Sequence, residues 1–76
     1  MSQRLPMLTA KEVVRTLLRA GFVQSRVSGS HCRLVHADDP SRKTTIPLHT
    51  GDLPRGTLRD ILKQSGLTEA EFRELL

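Results

Sequence analysis

Apolar residues recur along this chain in two rhythms, one with the period of a helix and one with the period of a strand. Val13, Val14, Leu17 and Leu18 stand at the spacing that lines one helical face. The ends of that helix are marked as well. Thr9 and Glu12 have the spacing of a capping box, and Leu8 and Val13 that of a hydrophobic staple. Gly21 follows Ala20 as a residue able to take positive φ, and Phe22 beyond it can fold back on Leu17, as in a Schellman ending. A first helix is predicted over 10–20.

From Phe22 the period changes to two. Residues 22–27 read as a strand, and Ser28, Gly29 and Ser30 are a turn signal that predicts a hairpin. Over 31–36, His31, Arg33 and Val35 face one way while Cys32, Leu34 and His36 face the other. Residues 37–41 are a second turn, 43–47 a short β-branched strand, and 48–52 a loop. Leu58, Ile61 and Leu62 form the stripe of a second helix beginning near Leu53 or Pro54, with Asp52 as N-cap and a proline tolerated in the first turn. Its end is expected at Gly66, with Leu67 placed to touch Leu62. Thr68 and Glu71 repeat the capping box, Leu67 and Phe72 the staple, and a short third helix carries Phe72, Leu75 and Leu76.

The order α-β-β-β-α with a terminal helix predicts an α+β two-layer sandwich, an antiparallel meander with both helices on one face. The expectation is a single domain over 1–76. Cys32 and Leu34 are the more core-like set of the second strand, so His31 belongs on the open face or its rim. With 76 residues, a chain buries only about 60% of its unfolded surface, so the core must be economical. One cysteine excludes an internal disulfide and suits a reducing cytoplasm. The leading residues lack an apolar signal-peptide core and no run is long enough to span a bilayer. A soluble cytoplasmic protein that does not engage a membrane is expected.

Charge changes the picture. Residues 1–63 hold eleven basic and five acidic side chains, a balance of +6, whereas residues 64–76 set Arg73 against Glu69, Glu71 and Glu74, a balance of −2. A basic body suits a polyanionic partner, although solubility alone would also be served. Lys11, Arg15 and Arg19 form an i, i+4, i+8 stripe on the first helix, and Arg55, Arg59 and Lys63 form one on the second. Such rows track phosphates or simply solvate a helix. Arg26, Arg33, Arg42 and Lys43 lie on or beside the strands, where those on the open face would surround His31 with positive charge. Only Phe22 and Phe72 are aromatic, and both look structural, so a base-stacking platform is disfavoured.

His31 is the leading candidate for chemistry. It directly follows Gly29 and Ser30, where backbone beside glycine admits a close substrate, and imidazole exchanges protons near neutral pH. An ordinary surface histidine is the plainer alternative. His49, in the loop after Pro47, is a possible auxiliary, and His36 reads as a strand-end residue on the other face. Cys32 reads as a small buried hydrophobe. No ligand spacing for a metal is present, so neither metal nor cofactor is expected.

These pieces resemble the HicA toxin family over about residues 9–74. The resemblance is carried by Lys11-Glu12-Val13-Val14 leading to Leu18-Arg19-Ala20-Gly21-Phe22, by Gly29-Ser30-His31 and by Ile46-Pro47-Leu48-His49. It continues through Gly56-Thr57-Leu58-Arg59-Asp60-Ile61-Leu62-Lys63-Gln64-Ser65-Gly66. It implies a double-stranded-RNA-binding-domain-like fold and ribosome-independent mRNA cleavage, with His31 as the catalytic residue. It also implies a HicB antitoxin that covers this histidine and through which operator DNA is reached. Gly29, Ser30, Arg26, Arg33, Lys43, Arg55, Arg59 and Lys63 are the expected RNA contacts. A non-catalytic double-stranded RNA-binding module is the alternative, and a pure protein-interaction subunit a third reading. Val27-Ser28 and Cys32 depart from the family's commoner residues, which bears on RNA contacts but leaves the histidine in place.

Overall fold

The caps set the helices where the spacing places them. The structure is a computed structural model, and it describes residues 5–49 and 51–76. The residues before Leu5, and Thr50 of the expected 48–52 loop, lie outside the described residues. Helix α1 is Ala10–Arg19, opened by a complete capping box: Thr9 Oγ1 accepts from the Glu12 N–H while a Glu12 carboxylate oxygen accepts from the Thr9 N–H at 3.0 Å. Leu8 and Val13 are both buried beside it. The helix closes through Ala20 onto Gly21, whose φ of 97° only glycine adopts freely.

The stripe that α1 buries is Ala10, Val13, Thr16 and Leu17; Val14 is half-buried and Leu18 exposed. The helix is therefore turned away from the expected Val14–Leu18 edge. Thr16 can enter the core because its hydroxyl donates to the Glu12 carbonyl at 2.8 Å, which satisfies it within the helix.

Strands β1 (Phe22–Ser28), β2 (His31–His36) and β3 (Lys43–Pro47) make an antiparallel sheet in the order β1-β2-β3. Helix α1 and helix α2 (Arg55–Ser65) both pack on one face of it, over Phe22, Cys32, Leu34, Thr44 and Ile46. The result is the expected α+β two-layer arrangement, and among the described residues nothing covers the second sheet face.

The start of α2 departs from expectation. Pro54 holds the N-cap position with no side-chain cap, and Asp52 instead forms an antiparallel bridge with Thr9. The Leu53 N–H donates to the Leu8 carbonyl at 2.7 Å, and Leu53 is buried. Pairing with the stretch before α1 holds 52–53 extended, so Asp52 cannot turn back to cap the helix. The other end matches expectation. Gly66 has φ 72°, the Leu67 N–H donates to Leu62 O at 3.0 Å and the Gly66 N–H to Lys63 O at 3.2 Å, a full Schellman pair. Helix α3 (Glu69–Leu75) opens on the second capping box and sends Phe72 into the core, while Leu76 stays exposed.

One arginine joins three parts of this frame. Arg42 Nε donates to Ser65 O at 2.7 Å, and its guanidinium lies 5.5 Å over the Phe22 ring. It pins the β2–β3 turn to the end of α2. Among the described residues no helix is long and apolar enough to cross a membrane.

Candidate functional site

His31, Arg33 and Val35 project from the uncovered face of β2, because Cys32 and Leu34, at 1% and 0% exposure, take the core side. On β3, Thr45 pairs with Arg33 and Pro47 with His31, so both stand on that same face.

Strand β1 reaches the face by a less regular route. Phe22 pairs with His36 on the covered side, and simple alternation would send Arg26 and Ser28 to that side too. A bulge between Gln24 and Arg26 leaves Ser25 without a cross-strand partner and restarts the alternation. Arg26 then faces Arg33, and Ser28 faces His31. The extra residue keeps Phe22 in the core and still delivers Arg26 to the open side.

Arg26, Ser28, His31, Arg33 and Thr45 line a shallow pocket of about 190 Å³. No carboxylate lines it, and the acidic residues lie on the helix layer and in the turns and loops. The Arg–carboxylate ion pairs seen among the described residues, Arg59 and Arg73 with Glu69, lie on that layer. The pocket is a cationic patch with an exposed imidazole at one end and hydroxyls from the two outer strands, Ser28 beside His31 and Thr45 beside Arg33.

The turn beside His31 is open, with nothing within 4 Å of the place a side chain on Gly29 would begin. Gly29 takes φ 57° in the two-residue connection, and the Ser30 carbonyl accepts from the Leu48 N–H. That bond ties the loop after β3 to the hairpin, which brings exposed His49 to the same end of the sheet as His31. Lys43 is exposed on the open face but pairs with Val35, farther along and outside the pocket lining.

The remaining candidates are placed elsewhere. His36 Nδ1 accepts the Asp38 N–H at 3.1 Å, and its ring stands edge-on to Phe22 at 5.1 Å, so it packs the frame. Burial pushes the Cys32 thiol up, and the side chain packs in the core. Lys11, Arg15 and Arg19 are exposed on α1, with Arg19 Nη1 donating to Leu75 O at 2.8 Å. On α2, Arg59 and Lys63 are exposed, while Arg55 is half-buried and its Nε donates to Leu5 O at 3.0 Å. These rows lie on the helix layer, across the sheet from His31. Among the described residues no group of three or more His, Cys, Asp or Glu could hold a metal ion.

Ser28 and Thr45 are site-lining residues that reading the sequence missed. Thr45 had a usable signal, since its parity within 43–47 opposes that of buried Ile46. Ser28 had none, because its direction depends on the bulge. Over residues 10–67 the chain matches the family model described as HicA toxin of bacterial toxin-antitoxin. Among curated proteins, none matches the chain.

Proposed function

The chain belongs to the HicA toxins of bacterial toxin–antitoxin systems, and from that premise we propose that it is a metal-independent endoribonuclease, an mRNA interferase, that cuts with His31. The observation that carries this reading is the exposed imidazole at the end of a carboxylate-free pocket holding Arg26 and Arg33.

The reaction is a transesterification. The ribose 2′ oxygen attacks the neighbouring phosphorus, the P–O2′ bond forms and the P–O5′ bond breaks. The 2′-OH proton passes to a base, and the departing 5′ oxygen receives a proton. His31 carries one of these protons, and His49, held at the same end of the sheet, is the candidate for the other. Arg26 and Arg33 stabilise the negative charge that grows on the phosphoryl oxygens. Gly29 and Ser30 let the strand approach the imidazole, and Lys43, Arg55, Arg59 and Lys63 attract flanking phosphates over a longer range. No step calls for a cofactor. The partner is a HicB-type antitoxin that covers this face, the compartment is the cytoplasm, and operator DNA is met only through the toxin–antitoxin complex.

A second reading has support in the exposed cations of the helix layer, Lys11, Arg15 and Lys63. They would suit a double-stranded RNA-binding module without turnover. Incubating the purified chain with single-stranded RNA in EDTA separates the two. The enzyme leaves 2′,3′-cyclic phosphate and 5′-hydroxyl ends. Duplex binding with no cleavage supports the module, and cleavage that returns only with added magnesium contradicts the metal-independent route.

A further inference from the structure

Arg26 and Arg33 are direct cross-strand partners, and neither has a carboxylate beside it in the pocket. Like charges facing each other across a strand pair repel, and an anion between them removes that cost. A guanidinium pair can offer such an anion two planar forks of donors. Thr45, the other cross-strand partner of Arg33, adds a neutral hydroxyl on the third strand. Size narrows the ligand. At about 190 Å³ the pocket is below the roughly 300–1,000 Å³ of sites that enclose a drug-sized molecule. It accepts a phosphate and part of its sugar, and no Phe, Tyr or Trp lines it.

Building on the proposed ribonuclease, we infer that Arg26, Arg33 and Thr45 form a single-phosphate subsite that grips the RNA phosphate itself. The subsite holds the phosphate of an intact strand and the terminal phosphate of a cut one alike. Free phosphate and phosphate-ended products therefore compete with substrate, and Thr45 is a positioning residue for the oxygens beside His31.

The test is a titration of the isotope-labelled full chain with inorganic phosphate, followed by NMR against sodium chloride at equal ionic strength. Shifts should concentrate on the Arg26 and Arg33 Nε–H groups and on the Thr45 amide. Arg26→Ala and Arg33→Ala should each weaken binding about tenfold or more, as expected for losing a charge-assisted hydrogen bond, while Arg26→Lys and Arg33→Lys retain part of it. Thr45→Val should weaken it by a smaller factor. His31→Ala should bind phosphate within about threefold of the native chain and yet fail to cut RNA. Shifts that chloride reproduces, or that centre on the helix-layer cations, overturn the subsite. If RNA is cut while phosphate avoids the pocket, the subsite fails and the ribonuclease stands. If phosphate fills the pocket while no RNA is cut, the ribonuclease fails and the subsite stands.

Discussion

The two faces of strand β2 carry alternate residues of one six-residue segment, and they do different work. Cys32 and Leu34 are sealed beneath α1 and α2, while His31 and Arg33 stand bare beside Arg26 and Thr45. One face is apolar and close-packed, and the other is cationic and open. The packed core therefore lies on one side of the sheet and the proposed chemistry on the other, one residue apart along the chain. Substitutions on the covered face should remove folding without touching the site, and those on the open face should do the reverse.

The sharpest break in that division comes from the core. Leu34→Ala should cost about 2–5 kcal/mol, a large share of the total for a domain of this size. Urea denaturation reads the loss, and RNA cleavage should fall only in proportion to the fraction folded. A Leu34→Ala chain of unchanged stability would mean that the covered face is not the structural one.

Next in size is the turn that delivers His31. Gly29 sits at φ 57° with open space around its missing side chain, so the obstacle to substitution is backbone conformation. Gly29→Val should cost roughly 1–2 kcal/mol and displace the histidine, whereas Gly29→Asn should be tolerated because asparagine enters that region more readily. Thermal melts and cleavage rates on the pair measure the two effects together.

On the open face, Arg33→Ala should leave the melting curve nearly unmoved. It should lower the salt dependence of RNA affinity by about 0.7 in the log–log slope, the share of one phosphate contact on a single strand. An unchanged slope would take Arg33 out of the RNA contact.

The smallest effect belongs to the caps. Hydrogen bonds from the backbone and side chain of Thr9 hold the Glu12 carboxyl below its ordinary value, and those of Thr68 do the same for Glu71. Bonds from Ser41 lower Asp39 likewise. A carboxyl with a lowered folded pKa stabilises fully above its unfolded pKa, near 4 for such groups, and loses that contribution as pH falls through the folded value. Glu12→Gln and Glu71→Gln should therefore differ from the native chain at neutral pH and converge with it in acid. Stability measured by urea at several pH values checks the convergence.

Much of the frame was legible because its signals are local. Both capping boxes and the Gly66 ending are spelled out within six residues, and the two-residue alternation of 31–36 placed His31 on the correct face. What escaped depends on contacts between distant segments. Asp52 has the chemistry of an N-cap, but the Leu53–Leu8 hydrogen bond draws it into pairing with Thr9. The bulge at Ser25 reverses the parity of β1, so the partnership of Arg26 with Arg33 could not be read from spacing. The helix stripes were visible as charge, but their separation from His31 by the thickness of the sheet follows from packing. Arg55 illustrates the same point, since its bond to the Leu5 carbonyl spans fifty positions of chain.

The most direct trial of the division pairs two readings on one sample of His31→Ala: its unfolding curve and its rate of RNA cleavage in EDTA. The account predicts a curve within about 0.5 kcal/mol of the native chain, as for an exposed position, and a rate reduced about 100-fold or more, as for a lost acid–base group. Native-rate cleavage by the folded variant would contradict it.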